Sequence, residues 1–214
     1  MPHVFPTYSV GERRADAFIH VLGVSASIAG ALTLMVMAAG ALPSAGSVAS
    51  LAIYSAGMMA VFGFSAAYHL VTWPPAKAVL RRFDHAAIYL AIAATYTPFA
   101  AVMGGAAGYG LLALVWSVAA FGVVMKLRFP KRLVRTSYVL YLAQGWAVVL
   151  ALGPLAAAVS DRVLILLGIG GVLYTVGVVF HLWNGLRYHN AVWHGFVLVA
   201  AGCHYAAVMS AVYV

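Results

Sequence analysis

Seven runs of mostly apolar residues, each long enough to cross a bilayer, occupy nearly all of this 214-residue chain. A transmembrane helix needs about 20 such residues to traverse roughly 30 Å of hydrocarbon. With breaks taken at charge, proline and glycine clusters, the runs cover residues 18–40, 50–73, 84–104, 108–126, 136–154, 162–183 and 191–213. Little chain remains for a soluble domain. Twelve basic and four acidic side chains, 7% of the residues, cannot coat a water-facing surface, for which roughly 25% is usual. The expected fold is an all-α integral membrane protein, a single seven-transmembrane helix bundle over residues 1–214. The first run is too long for a signal peptide, whose apolar region covers about 7–15 residues.

The net charge of +8 would point to nucleic acid in a soluble protein. In a membrane protein it reflects basic loops retained on the cytoplasmic side. Arg13 and Arg14 precede the first run, and Lys77, Arg81 and Arg82 follow the second. Lys126, Arg128, Lys131, Arg132 and Arg135 follow the fourth, and Arg187 follows the sixth. Only Arg162 lies on the other side, which places the N-terminus in the cytoplasm and the C-terminus outside. Gly168, Gly170, Gly171 and Gly177 read as close helix packing through small residues. Pro98 reads as a bend in the third helix.

An ionisable group in hydrocarbon is costly, so its depth is informative. His69 lies near the cytoplasmic end of the second run, with Ser65 one turn deeper on the same face. Asp84 and His85 open the third run, His194 follows Trp193 at the start of the seventh, and Asn190 lies one turn before it. His20 and His181 share that level and read as residues of the interfacial belt. His3 falls in an N-terminal tail, and His204, about 15 Å beyond His194 on a helix, reads as a separate core residue. Cys203 is the only cysteine, so a metal site would need His, carboxylate or amide ligands. Imidazoles converging with a carboxylate and a hydroxyl match a catalytic zinc site, which activates water near neutral pH. In that arrangement Asp84 acts on the water, while Ser65 orients His69 or stabilises an oxyanion. Without a metal, the same layer could relay protons.

The stretches Ser65-Ala-Ala-Tyr-His69, Phe83-Asp84-His85-Ala-Ala-Ile-Tyr89, Ala94-Thr-Tyr-Thr-Pro98-Phe and Asn190-Ala-Val-Trp193-His194-Gly-Phe-Val, with Cys203-His204 beyond, resemble the hemolysin III family. That family is the bacterial branch of the progestin and adipoQ receptor superfamily. The resemblance spans the seven-helix core in order and implies a zinc site on the cytoplasmic side, in a bacterial inner membrane. His69 and His194 fall on ligand positions, and Asp84 on the position that acts on the metal's water. The family's last block is usually His-x3-His; its first histidine falls on Asn190, with His189 displaced by one. His189 is therefore the expected third ligand, with Asn190, a water or His85 as alternatives.

The resemblance implies several functions. The leading one is a zinc-dependent hydrolase of lipid amides, or a membrane-lipid homeostasis factor, with membrane lipid as its partner. The other is a pore-forming haemolysin or receptor-like protein with a structural metal. A conducting pore requires polar residues through the full membrane depth, which the extracellular halves of the runs largely lack. The charge asymmetry yields a direct prediction. Reporters active only in the cytoplasm, fused near Lys77, Arg128 and Arg187, should be active, and one at Val214 should be silent; activity at Val214 would overturn the seven-span orientation.

Overall fold

The computed structural model describes residues 8–41, 45–130 and 134–213. His3, Lys131, Arg132 and Val214 lie outside the described residues. Eight α-helices and one 3-10 stretch are present, and no strand occurs among the described residues. They are α1 (Val10–Ala41), α2 (Ala45–Leu70), α3 (Pro74–Met103), α4 (Gly105–Arg128), α5 (Val134–Gly145), α6 (Leu152–Ala158), α7 (Asp161–Leu182) and α8 (His189–Tyr213), with the 3-10 stretch Trp146–Ala151 between α5 and α6. Residues 136–158 together make one crossing, so seven segments are long and apolar enough to span a membrane. The protein is a multi-pass membrane protein. Large apolar side chains such as Val36, Leu150 and Val199 are exposed, a surface suited to lipid and not to water.

Two helices begin well before their apolar runs. α1 starts at Val10 and not at residue 18, because Ser9 and Glu12 form a capping box. The Glu12 amide donates to Ser9 Oγ at 3.3 Å, and the Ser9 amide donates to Glu12 Oε2 at 2.9 Å. α3 starts at Pro74 and not at residue 84, with prolines in its first two positions, where a missing N–H costs nothing. Asp84 and His85 therefore do not open the third helix. They sit ten and eleven residues inside it, with Asp84 buried and the His85 side chain one-third exposed.

Sequential helices pack side by side, α1 on α2, α2 on α3, α3 on α4 and α7 on α8, and α8 returns to α1. α3 is the most buried crossing and also touches α5, α6 and α8. It runs through Pro98 without interruption. One core forms around Leu34, Leu51, Tyr54, Phe99, Leu155 and Val163, and another around Tyr89, Tyr96, Leu111 and Val115. The described basic residues at helix ends and in loops gather at the end where α1 begins, apart from Arg162. This is the basic end.

The fifth crossing was expected as one helix over 136–154; it is broken at 146–151. Pro154 has no amide to give Leu150, so a regular helix cannot close over that turn. Tyr96 of α3 supports the break: its hydroxyl donates to the Gly145 carbonyl and accepts from the Val148 amide at 3.0 Å. Tyr96→Phe keeps the volume and leaves both backbone groups unpaired, a cost of about 1–3 kcal/mol. The thermal midpoint in detergent should fall measurably, and an unchanged midpoint would mean that the break stands without this hydroxyl.

Candidate metal centre

Three helices bring four ionisable side chains together at the basic end. α1 contributes Asp16 and His20, four residues apart and hence on one face. α2 contributes His69 from its last turn, and α8 contributes His194 from its second. One ligand atom from each of the four lies within 4.8 Å of the others. Asp16 Oδ1 accepts from His194 Nδ1 at 2.6 Å, and Oδ2 accepts from His69 Nδ1 at 3.0 Å. His20 Nε2 lies 3.5 Å from Oδ2. The His20 ring is 4.3 Å from that of His194 and 4.8 Å from that of His69, and those two are 4.5 Å apart.

The donor set fits a metal on three grounds. A carboxylate can only accept, so the bonds from Nδ1 of His69 and His194 fix those nitrogens as protonated and leave Nε2 as the free lone pair, the arrangement seen where a carboxylate orients metal-bound histidines. His20 Nε2 is buried and has no hydrogen-bond partner, which is costly unless something else occupies it. Bonds of 2.0–2.2 Å in a tetrahedron separate ligand atoms by roughly 3.4 Å, so a spread of 4.8 Å closes with small side-chain rotations.

Several local devices hold these residues in place. A Cβ on Gly23 would lie 2.6 Å from the Phe62 ring, so glycine lets α1 approach α2 within a turn of His20. The Tyr188 amide, on a residue with φ of 64°, donates to Glu12 Oε1 at 3.2 Å, tying the turn before α8 to the start of α1. Lys77 reaches back from α3 and its ammonium donates to the carbonyls of Tyr68, His69 and Val71 at 2.9, 3.4 and 3.3 Å. It caps the end of α2 at the residue that carries the imidazole.

The expected site residues divide. His69 and His194 are in the cluster. Asp84 is buried on α3 with Ser65 in hydrogen-bonding reach, and both border the same cavity of about 1280 Å³ as the four cluster residues. His189 is the first residue of α8, buried against the Tyr8 ring at 5.9 Å with Nδ1 unpartnered, and it is not one of the four. Burial and the nearby charges of Asp16 and Glu12 push the Tyr8 phenol up from its ordinary pKa. His85 Nε2 lies 3.9 Å from Asp84, and Asn190 borders the cavity; neither is in the group of four. His20, expected at the interface, is 3% exposed and inside the cluster. Asp16 was missed because it precedes the apolar run. Its signal was the Ser9-x-x-Glu12 capping box, which starts the helix early enough to pair Asp16 with His20. His181 instead bonds Tyr138 at 3.1 Å.

The haemolysin-III related family matches residues 10–205. A "Hemolysin-3 homolog" of Bacillus subtilis (strain 168) is 37% identical over 94% of this chain and 95% of its own length. "Hemolysin-3" of Bacillus cereus is 36% identical over 90% of this chain and 88% of its own. The human "Monocyte to macrophage differentiation factor" is 30% identical over 75% of this chain and 69% of its own.

The Lys77 cap should be visible in solution. Lys77→Met keeps the stem and removes the donors, so amide exchange should accelerate in the last turn of α2, and stability should drop by about 1 kcal/mol. Unchanged exchange from Tyr68 to Val71 would show that the turn holds without it.

Proposed function

The chain belongs to the haemolysin-III related family, and from that premise we propose that it is a zinc-holding hydrolase of lipid amides in a bacterial inner membrane, with its N-terminus in the cytoplasm. The observation that carries this reading is the convergence of three imidazoles and a carboxylate, from α1, α2 and α8, on a cavity of about 1280 Å³ within the bundle. Three imidazole nitrogens suit zinc better than magnesium or calcium, which take oxygen ligands. His20, His69 and His194 would hold the ion, with Asp16 orienting His69 and His194 through their Nδ1–H groups. When bound, zinc polarises a carbonyl and activates water at neutral pH.

The chain's own residues supply the rest. Asp84 faces the cavity from α3, placed to take a proton and return it to the departing amine. Ser65 of α2 lies beside that carboxylate on the same cavity. Apolar walls such as Ile92, Phe99 and Leu167 suit an acyl chain. The haemolysin names of the two Bacillus proteins favour a second reading, a pore. Against it, Leu34, Leu51, Val163 and Val208 are buried and packed together at the end away from the cluster, where a pore would need a polar path. A receptor-like protein with a structural metal would hold the same ion without turnover.

The test is metal content together with turnover. Purified protein should carry one zinc per chain, and His20→Ala, His69→Ala and His194→Ala should each weaken binding by about tenfold or more. Asp84→Asn should keep the metal and lose hydrolysis of acyl amides. Wild-type stoichiometry in all three Ala variants would remove the site. Full zinc without turnover of any acyl amide would leave the structural-metal reading.

A further inference from the structure

A second polar station lies on the same cavity, about 15 Å from the first along α8 at 1.5 Å per residue between His194 and His204. His204 of α8 and Tyr174 of α7 both border the cavity, with ring centroids 5.5 Å apart. His204 Nε2 lies 3.4 Å from the Leu167 carbonyl. A carbonyl can only accept, so Nε2 carries the proton and Nδ1 presents a lone pair. Among the described residues, neither that Nδ1 nor the Tyr174 hydroxyl has a hydrogen-bond partner. The His204 ring is seated by design of the helix it faces. A Cβ on Gly170 would lie 2.4 Å from its Cδ2, so only glycine leaves room for the imidazole against α7.

Polar groups at this depth, on a cavity whose lining includes Ile92, Val197 and Leu167, are costly unless paired. We infer that His204 and Tyr174 form a binding subsite for a hydroxyl carried toward the far end of an acyl chain whose polar head lies at the Asp16–His194 cluster. This rests on the proposed reading of the cavity as an acyl-lipid site and names the class of chain it takes. The chemistry selects the group. A hydroxyl donates to the His204 lone pair and accepts from the Tyr174 phenol. A carbonyl has no proton for Nδ1, an ammonium has no lone pair for the phenol, and a charged group is excluded by the apolar walls.

The experiment compares dodecanoate with ω-hydroxydodecanoate by displacement of a fluorescent fatty acid from full-length protein in detergent. Without a subsite the hydroxyl weakens binding, since burying it unpaired costs free energy. With the subsite, the hydroxylated acid should bind more tightly, on the order of fivefold. Tyr174→Phe removes one partner without changing the packing, and should reverse or abolish the preference while leaving dodecanoate binding as in wild type. His204→Gln should do the same. Equal or weaker binding of the hydroxylated acid to wild type overturns the subsite, as does a preference that survives both substitutions. Failure of both acids to bind also overturns it. The preference is a ratio within one protein, and zinc content measured on the same sample reports separately on the metal reading, so the two can fail independently.

Discussion

The basic end of this bundle depends on one carboxylate placed among three imidazoles. Removing Asp16 from water is expensive, and the cost is offset only if its oxygens are fully engaged. Two short bonds, from His194 and His69, and the close approach of His20 provide that engagement. Because those partners come from α1, α2 and α8, satisfying one charge fixes the relative position of three helices. The supporting contacts follow the same logic. Lys77 closes the end of α2, Glu12 binds the turn before α8, and Gly23 removes the side chain that would hold α1 away from Phe62.

The same rule accounts for the irregular fifth crossing. Non-helical backbone at membrane depth is tolerated only where protein satisfies it. Tyr96 serves the break near Gly145, while Gln144 Nε2 donates to the Tyr89 and Val115 carbonyls at 3.2 and 3.0 Å, binding α5 to α3 and α4. α5 meets α7 at the Tyr138–His181 bond, and the 3-10 stretch adds the Trp146 indole, which donates to Thr175 at 3.1 Å. The large cavity opens where packing is sparse, beside helices that are tied to α3 and only lightly to α7.

Seven crossings, the basic end and the pairing of His69 with His194 were legible from apolar runs, charge counts and helical depth. The limits of that legibility are physical. An apolar run ends at its first charge, but a helix need not; α1 and α3 extend through charged turns beyond the run, as Ser9-x-x-Glu12 and Pro74-Pro75 signal. Trimming α1 at residue 18 hid Asp16, and without Asp16 the neighbouring His20 looked like one more histidine of the interfacial belt. Depth along a helix follows from counting, whereas the face that meets a partner depends on packing. That is why the sequence puts His189 ahead of Asn190 and His85 as third ligand, whereas packing groups His69 and His194 with His20 and Asp16 of α1. The small-residue reading of α7 depended only on local crowding, and it holds at Gly170 and Gly177, where a Cβ would meet the rings of His204 and Trp193.

The departure at Asn190 and the presence of Asp16 in the cluster have a joint electrostatic consequence. Resemblance to the hemolysin III pattern places a histidine where this chain has Asn190, so a donor on α8 is absent and donors on α1 stand within reach. Three neutral imidazoles would leave a divalent ion with its full double charge inside the bundle; a carboxylate bonded to two of them offsets one unit of it. Such a site is cheaper to bury and a weaker Lewis acid toward a carbonyl. On the proposed reading, more of the work then falls on Asp84 and Ser65, which sit on α3 and α2 and do not belong to the donor set. On that reading, a chain that moves one imidazole from α8 to α1 and adds a carboxylate beside the three would stabilise a buried ion and rely more heavily on Asp84 for proton transfer.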